Sequence, residues 1–206
     1  AGFDSIPNNH EGSHFAVSVP GTVHGWETAL NQYGRMTLRE VLQPAIDYAL
    51  NGYGVSEVIA RGWGSEDTVA KLNYRPSGKQ MLPGANGGAP KYGEIITLPE
   101  LGRTLQMIAE GGSEVFYKGE IAKKTADFIQ SEGGWLTEQD FANHHSDWDE
   151  AISVNYRGVD IWECPPNGQG IAALIALNLA EGFDIGSMGA QSSDRYHYLI
   201  ESMRRG

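Results

Sequence analysis

The sequence predicts an α+β fold, mainly helical, with one β-hairpin near residues 152–162. Three observations carry this. Thr37, Thr97 and Thr137 each stand three residues before an acid, the capping-box pattern, ahead of a helical segment. Ile152, Val154 and Tyr156 alternate with Ser153, Asn155 and Arg157, which is strand periodicity, and Arg157-Gly158 leads into a second run, Val159-Asp160-Ile161-Trp162. Finally, 206 residues at 40% hydrophobic content are enough for one ordinary globular domain with a core, so residues 1–206 are expected to form a single domain.

Taken in order, Pro7-Asn8-Asn9 reads as a turn, and Phe15-Ala16-Val17-Ser18-Val19 as a short strand ended by Pro20-Gly21. A helix follows from about Thr22 to Tyr33, with Gly34 as its stop. The Thr37-Leu38-Arg39-Glu40 box opens a helix to about Asn51, with Leu38, Val41, Leu42, Ala45, Ile46 and Ala49 on its apolar positions. Pro44 lies well inside, so either the box begins a separate first turn or the helix kinks there. Thr97-Leu98-Pro99-Glu100 leads into Leu101, Leu105, Ile108 and Ala109, closed by Gly111-Gly112. Tyr74 to Gly93, rich in Gly and Pro, reads as a surface loop. Ile171 to Ala180 is apolar nearly all round, so a helix there must be buried on most of its surface. A last helix, roughly Ser193 to Arg204, carries Tyr196, Leu199, Ile200 and Met203 on one face.

Composition narrows the function classes. With 26 acidic against 15 basic residues the formal net charge is −11, and no basic cluster overrides it, so nucleic acid and anionic membranes are poor partners. No run of 18 apolar residues suggests a membrane span, and the first ten residues show no signal-peptide pattern. The single cysteine, Cys164, can neither close an intrachain disulfide nor anchor a Cys-based zinc site. That suits a reducing compartment or a disulfide-free exported protein equally.

Four stretches, in order, resemble the γ-glutamyltransferase (γ-glutamyltranspeptidase) family. The first is Ser13-His14, then Val19-Pro20-Gly21-Thr22-Val23, Trp26 and Tyr33-Gly34. The second is Leu38, Val41 and Pro44-Ala45, running into Asn51-Gly52-Tyr53 and Val55. The third is Ile108-Ala109-Glu110 with Gly112, then Phe116-Tyr117-Lys118-Gly119 and Ile121-Ala122. The fourth is Tyr156-Arg157-Gly158, Pro165-Pro166, Gly170 and Leu177-Asn178-Leu179. Each motif alone is weak; four in sequence, spanning most of the chain, make chance a poor explanation.

The resemblance implies an internal stretch of the large subunit of an N-terminal-nucleophile hydrolase with an αββα sandwich. It implies a precursor that cleaves itself, a zymogen, whose small subunit opens with a Thr nucleophile carrying its own base, the α-amine. It implies cleavage or transfer of γ-glutamyl or related acyl amides, oxyanion donors in the small subunit, and no cofactor. The family's Arg-Glu-x-x-Pro motif for the substrate carboxylate does not match here, since Arg39-Glu40 continues Val41-Leu42, and Ala1 offers no nucleophilic side chain. No catalytic, cofactor or metal residue is therefore assigned, and the chain alone is expected to be inactive. Asn167-Gly168-Gln169 after Pro165-Pro166, and His24 after Pro20-Gly21-Thr22-Val23, look more like the acylase and amidase branch than the glutathione-cleaving one.

Other constellations compete with this reading. His144-His145-x-Asp147-x-Asp149 is the densest ligand-type cluster and would suit a metal-dependent hydrolase; a solvated acidic loop is the plainer expectation. Pro165 to Gly170 resembles an anion cradle but lacks the residues of a P-loop, so a tight strand-to-helix turn is expected. His24 and Ser13-His14 suggest a Ser–His pair, yet no nucleophile elbow exists, and a structural role is favoured. Trp63, Trp135, Trp148 and Trp162 are expected in the core. A non-catalytic binding domain of the same fold is the remaining alternative.

Overall fold

The computed structural model describes residues 5–6 and 13–206. The Pro7-Asn8-Asn9 turn lies outside them. Chain contacts separate two compact units, Ala1–Ser146 and Asp147–Gly206.

In the first unit the chain enters by a 3₁₀ turn, Ser13–Phe15, and runs without helix or strand through residues 16–21, although a strand was expected over Phe15 to Val19. The β-branched run has no strand beside it among the described residues, and without a ladder its propensity is not realised. Instead Val19 packs on the core, and the Pro20 carbonyl accepts the Tyr117 hydroxyl at 2.6 Å. Helix α1, Thr22–Tyr33, ends at Gly34, whose N–H bonds the Leu30 carbonyl. A Cβ on Gly34 would lie 2.6 Å from that carbonyl oxygen, so the stop is steric rather than left-handed.

Helix α2, Leu38–Asn51, begins with the expected capping box: the Glu40 carboxylate accepts the Thr37 N–H at 2.7 Å, and the Thr37 hydroxyl oxygen accepts the Glu40 N–H at 3.2 Å. The helix runs unbroken from the box through Pro44. Gly52, at φ +101°, turns the chain into strand β1, Tyr53–Gly54. Helices α3 (Glu57–Trp63) and α4 (Glu66–Asn73) follow, capped by Ser56 and Ser65. The 74–93 segment holds two 3₁₀ turns and is tied down from both sides. Trp63 Nε1 donates to the Met81 carbonyl at 2.7 Å, and Glu94 accepts the N–H groups of Ala85 and Lys91. Leu82 and Pro90 are buried within it, so it is more than a surface loop.

Strand β2, Ile95–Ile96, pairs antiparallel with β1. Helix α5, Pro99–Tyr117, starts one residue later than the Thr97 box requires: Leu98 is the cap residue, and no side chain caps it. Pro99 at the first helical position, where its missing N–H is harmless, fixes that start. The expected end at Gly111-Gly112 is instead a break at Gly112 (φ +69°), after which helix resumes. Glu27 of α1 fills the break, accepting both the N–H and the hydroxyl of Ser113. Gly102, buried against α2, lets the two helices close: a Cβ there would come within 2.5 Å of Leu50.

Helix α6, Glu120–Ser131, packs Ala122, Ala126 and Ile129 inward. Helix α7, Glu138–Ala142, carries the Thr137–Asp140 capping box as expected and buries Phe141 completely. Val23, Leu42, Ile46, Ile108, Tyr117 and Phe141 form the centre of this core.

The second unit contains the expected hairpin, β3 (Ile152–Tyr156) with β4 (Val159–Glu163), Tyr156 opposite Val159. Arg157 (φ +54°) and Gly158 (φ +84°) are both left-handed, as a two-residue type I′ turn demands. Asn155 supports the turn by accepting the Gly158 N–H at 3.0 Å, and Arg157 donates to the Phe183 carbonyl. Helix α8, Gly170–Glu181, packs on the hairpin and on helix α9, Ser193–Arg205. Contrary to expectation, α8 is not buried on most of its surface. Leu174, Ala176 and Ala180 point inward, while Ile171, Ile175 and Leu179 are each about 40% exposed. The tryptophan expectation also fails. Trp135, Trp148 and Trp162 are about 60% exposed, and Trp63 is half-buried.

Candidate functional site

The polar centre of the first unit is built where the first and third family-like stretches meet. Tyr117, 3% exposed at the end of α5, donates to the Pro20 carbonyl and accepts the His24 N–H at 3.2 Å. It thereby clamps the turn that starts α1. Burial pushes the Tyr117 phenol up, against the opposing effect of the hydrogen bonds from His24 and Val23. His24, on the first turns of α1, has three partners at one nitrogen. Its Nδ1 accepts the Ser146 backbone N–H at 3.1 Å and lies 2.9 Å from Ser146 Oγ and 3.2 Å from Thr28 Oγ1. A backbone N–H can only donate, so Nδ1 is unprotonated and the ring proton sits on Nε2.

His144 completes the cluster. Its ring stacks on Tyr117 at 4.8 Å and 22° and meets the His24 ring edge-on at 5.7 Å and 89°. Nε2 is buried without a hydrogen-bond partner. Burial first, then the neighbouring His24 and His145, lowers the His144 ring below the ordinary histidine value.

The ligand-type run is thus divided. His144 turns inward and is not part of a solvated loop. His145 Nδ1 lies 3.2 Å from the Asn143 carbonyl, and Asp147 and Asp149 are exposed. Among the described residues no three His, Cys, Asp or Glu side chains converge as a metal would require. Glu40 is engaged in its capping box, and its hydrogen bonds with Thr37 lower its carboxyl. The stretch 165–169 is the turn into α8, whose cap residue, Gln169, makes no side-chain cap. His24 finds its serine at Ser146, 122 residues away, rather than next to His14. Sequence spacing held no signal for that pair; only the fold brings α1 and the 144–146 segment together.

Two apolar grooves lie on the helical surface of this unit. One, about 420 Å³, runs between α2 and α5 under Tyr48, Tyr53 and Leu101. The other, about 500 Å³, runs between α1 and α2 under Trp26, Tyr33 and Val41. Neither is lined by a charged side chain; Tyr48 and Tyr53 in the first and Tyr33 in the second are their titratable lining groups.

Solved structures place this architecture in a class. The chain resembles γ-glutamyltranspeptidase of Helicobacter pylori (TM-score 0.85, 30% identity, 93% of this chain and 54% of that one). It equally resembles cephalosporin acylase of Bacillus halodurans (TM-score 0.82, 38% identity, 91% of this chain and 35% of that one). The fold is the mixed helical fold, with small sheets, of N-terminal-nucleophile amide hydrolases and acyltransferases.

Within that class the chain belongs to the γ-glutamyltranspeptidase family, whose family model, "Gamma-glutamyltranspeptidase", matches residues 4–206. Similar proteins include the glutathione hydrolase-like YwrD proenzyme of Bacillus subtilis, 36% identical over 92% of this chain and 36% of that protein. The glutathione hydrolase proenzyme of Escherichia coli is 34% identical over 92% of this chain and 33% of that protein. The acylase ACY 1 proenzyme of Pseudomonas sp. SE83 is 34% identical over 92% of this chain and 34% of that protein. The chain spans about a third of the length of these relatives.

Proposed function

We propose that this chain is an internal part of the large subunit of an amide hydrolase or acyltransferase, with its two compact units belonging to one domain of that subunit. In this reading the nucleophile is an N-terminal Thr outside the chain, on a small subunit released from the same precursor. The Thr hydroxyl attacks a γ-glutamyl or related acyl amide, its own α-amine takes the proton, and amide donors hold the oxyanion. The chain contributes no catalytic residue, cofactor ligand or metal ligand. The observation that carries the proposal is the family match over residues 4–206 combined with coverage of only a third of proteins named proenzymes.

An acylase-like acyl group is favoured over glutathione. Asn167-Gly168-Gln169 and His24 support this, whereas identity to relatives does not separate the two branches, at 34% for both the glutathione hydrolase proenzyme of Escherichia coli and acylase ACY 1. The test is processing of the full precursor. It should split into two subunits, the smaller beginning with Thr, and replacing that Thr by Ala should abolish both cleavage and turnover, because one hydroxyl serves both. This chain purified alone should show no amide hydrolysis above buffer. Activity of the isolated chain, or of an uncleaved precursor, would sink the proposal.

A further inference from the structure

The segment His144–Ser146 closes the first unit, and a histidine on each side of the contact holds it there. His24 Nδ1 accepts the Ser146 N–H, and the His144 ring sits against Gly21, where a Cβ would lie 3.2 Å from Cε1 and 3.4 Å from Nε2. Every feature of that seat suits an uncharged ring. An imidazolium carries an N–H on both nitrogens, and at Nε2 the added N–H would be buried without an acceptor. Gly21 is the cap residue of α1, so the positive end of the helix lies beside the ring and disfavours a cation. The ionisable groups around it are His24 on α1, Tyr117 on α5 and His145 on its own segment. None supplies a carboxylate to stabilise the charged form.

We propose that His144 is an acid-release latch: neutral, it seals residues 144–146 onto the start of α1; protonated, it leaves its seat and frees the Ser146 amide. The latch rests on the geometry of the first unit and is independent of the catalytic reading. The direction follows from linkage. A histidine whose folded value is depressed stabilises the closed state fully above the ordinary value of about 6.5. That stabilisation is lost as pH falls through the folded value.

Hydrogen exchange of the full chain, followed by mass spectrometry and corrected for intrinsic rates, reads the latch directly through the Ser146 amide. Below about pH 6.5 its protection should fall by up to about tenfold per pH unit, while α6 amides stay protected. His144→Phe keeps a stacked ring without a titrating group but leaves His24, whose Nδ1 cannot accept the Ser146 N–H once it carries a proton, so Ser146 protection in the variant should fall less steeply than in the wild type across the same range. If that variant does not fold, the wild-type imidazole titration by NMR, with His145→Gln to separate the neighbouring signals, decides instead. His144 should then titrate below the ordinary value. Ser146 protection that ignores pH in the wild type, an unchanged slope in His144→Phe, or a His144 midpoint at or above about 6.5 would each overturn the proposal.

Discussion

Removing one oxygen from Tyr117 tests the join between the first and third family-like stretches. In Tyr117→Phe the ring keeps its place, 3% exposed, stacked on His144 and edge-on to Phe116. What disappears is the donor to the Pro20 carbonyl at 2.6 Å and the acceptor of the His24 N–H at 3.2 Å and of the neighbouring Val23 N–H. A typical internal hydrogen bond contributes about 1 kcal/mol net, and a buried group left unpaired costs about 1–3 kcal/mol. The Pro20 carbonyl loses this bond outright, whereas the Val23 and His24 N–H groups lie in the first turn of a helix, where water commonly serves. The expected loss is therefore about 1.5–3 kcal/mol, most of it from Pro20. Urea unfolding at low protein concentration should show a lowered midpoint with an unchanged slope. Tyr117→Leu, which also removes the ring, should cost more, roughly 3–5 kcal/mol. A Tyr117→Phe change within about 0.5 kcal/mol of wild type, the range of ordinary surface substitutions, would refute the idea that this hydroxyl clamps the start of α1.

Two further outcomes are specific. Gly112→Ala forces a side chain into φ +69° with a Cβ 2.6 Å from Glu27 Oε1, so it should lower stability by about 2 kcal/mol or more in the same urea assay. Chelator treatment should leave the unfolding midpoint unchanged, whereas stoichiometric zinc found by elemental analysis and lost on replacing His144 and His145 together would reverse that expectation.

What was legible in the sequence is what local chemistry decides. The Thr37–Glu40 and Thr137–Asp140 boxes, the Gly34 stop and the left-handed pair Arg157-Gly158 each act within a few residues, and each stands where the pattern put it. Helix α6 was missed because its cap residue, Gly119, makes no side-chain bond, although Ala122, Ala126 and Ile129 do have helical spacing. Strands β1 and β2 are two residues each and pair across about forty positions, which no periodicity can reveal. The Thr97 box failed by one residue because Pro99 claimed the first helical position. The His24–Ser146 contact and the seat of His144 were illegible for a deeper reason. Both are made by side chains from α1, α5 and the 144–146 segment, which meet only after the core has formed.

The exposed faces of α8 and α9 carry the remaining prediction. On α8, Ile171, Ile175 and Leu179 recur every fourth residue, and on α9, Tyr196, Leu199, Ile200 and Met203 follow helical spacing, so each helix presents a continuous apolar stripe. These side chains are 36–58% exposed, although fully burying such a side chain stabilises by roughly 1.5–3 kcal/mol. Covering the remainder of all of them is worth on the order of 5–10 kcal/mol before ordering costs. Stripes of that size are rare on free surfaces and mark contact sites. On the proposed assignment, the cover is the small subunit and the rest of the precursor. The chain alone should therefore associate or bind a hydrophobic dye, and the processed two-subunit protein should do neither. Ile175→Lys with Ile200→Lys should restore a monodisperse isolated chain, read by size-exclusion chromatography, while weakening its assembly into the processed enzyme. A wild-type chain that runs as a dye-negative monomer would mean that these stripes need no partner, and the fragment reading would lose its main energetic support.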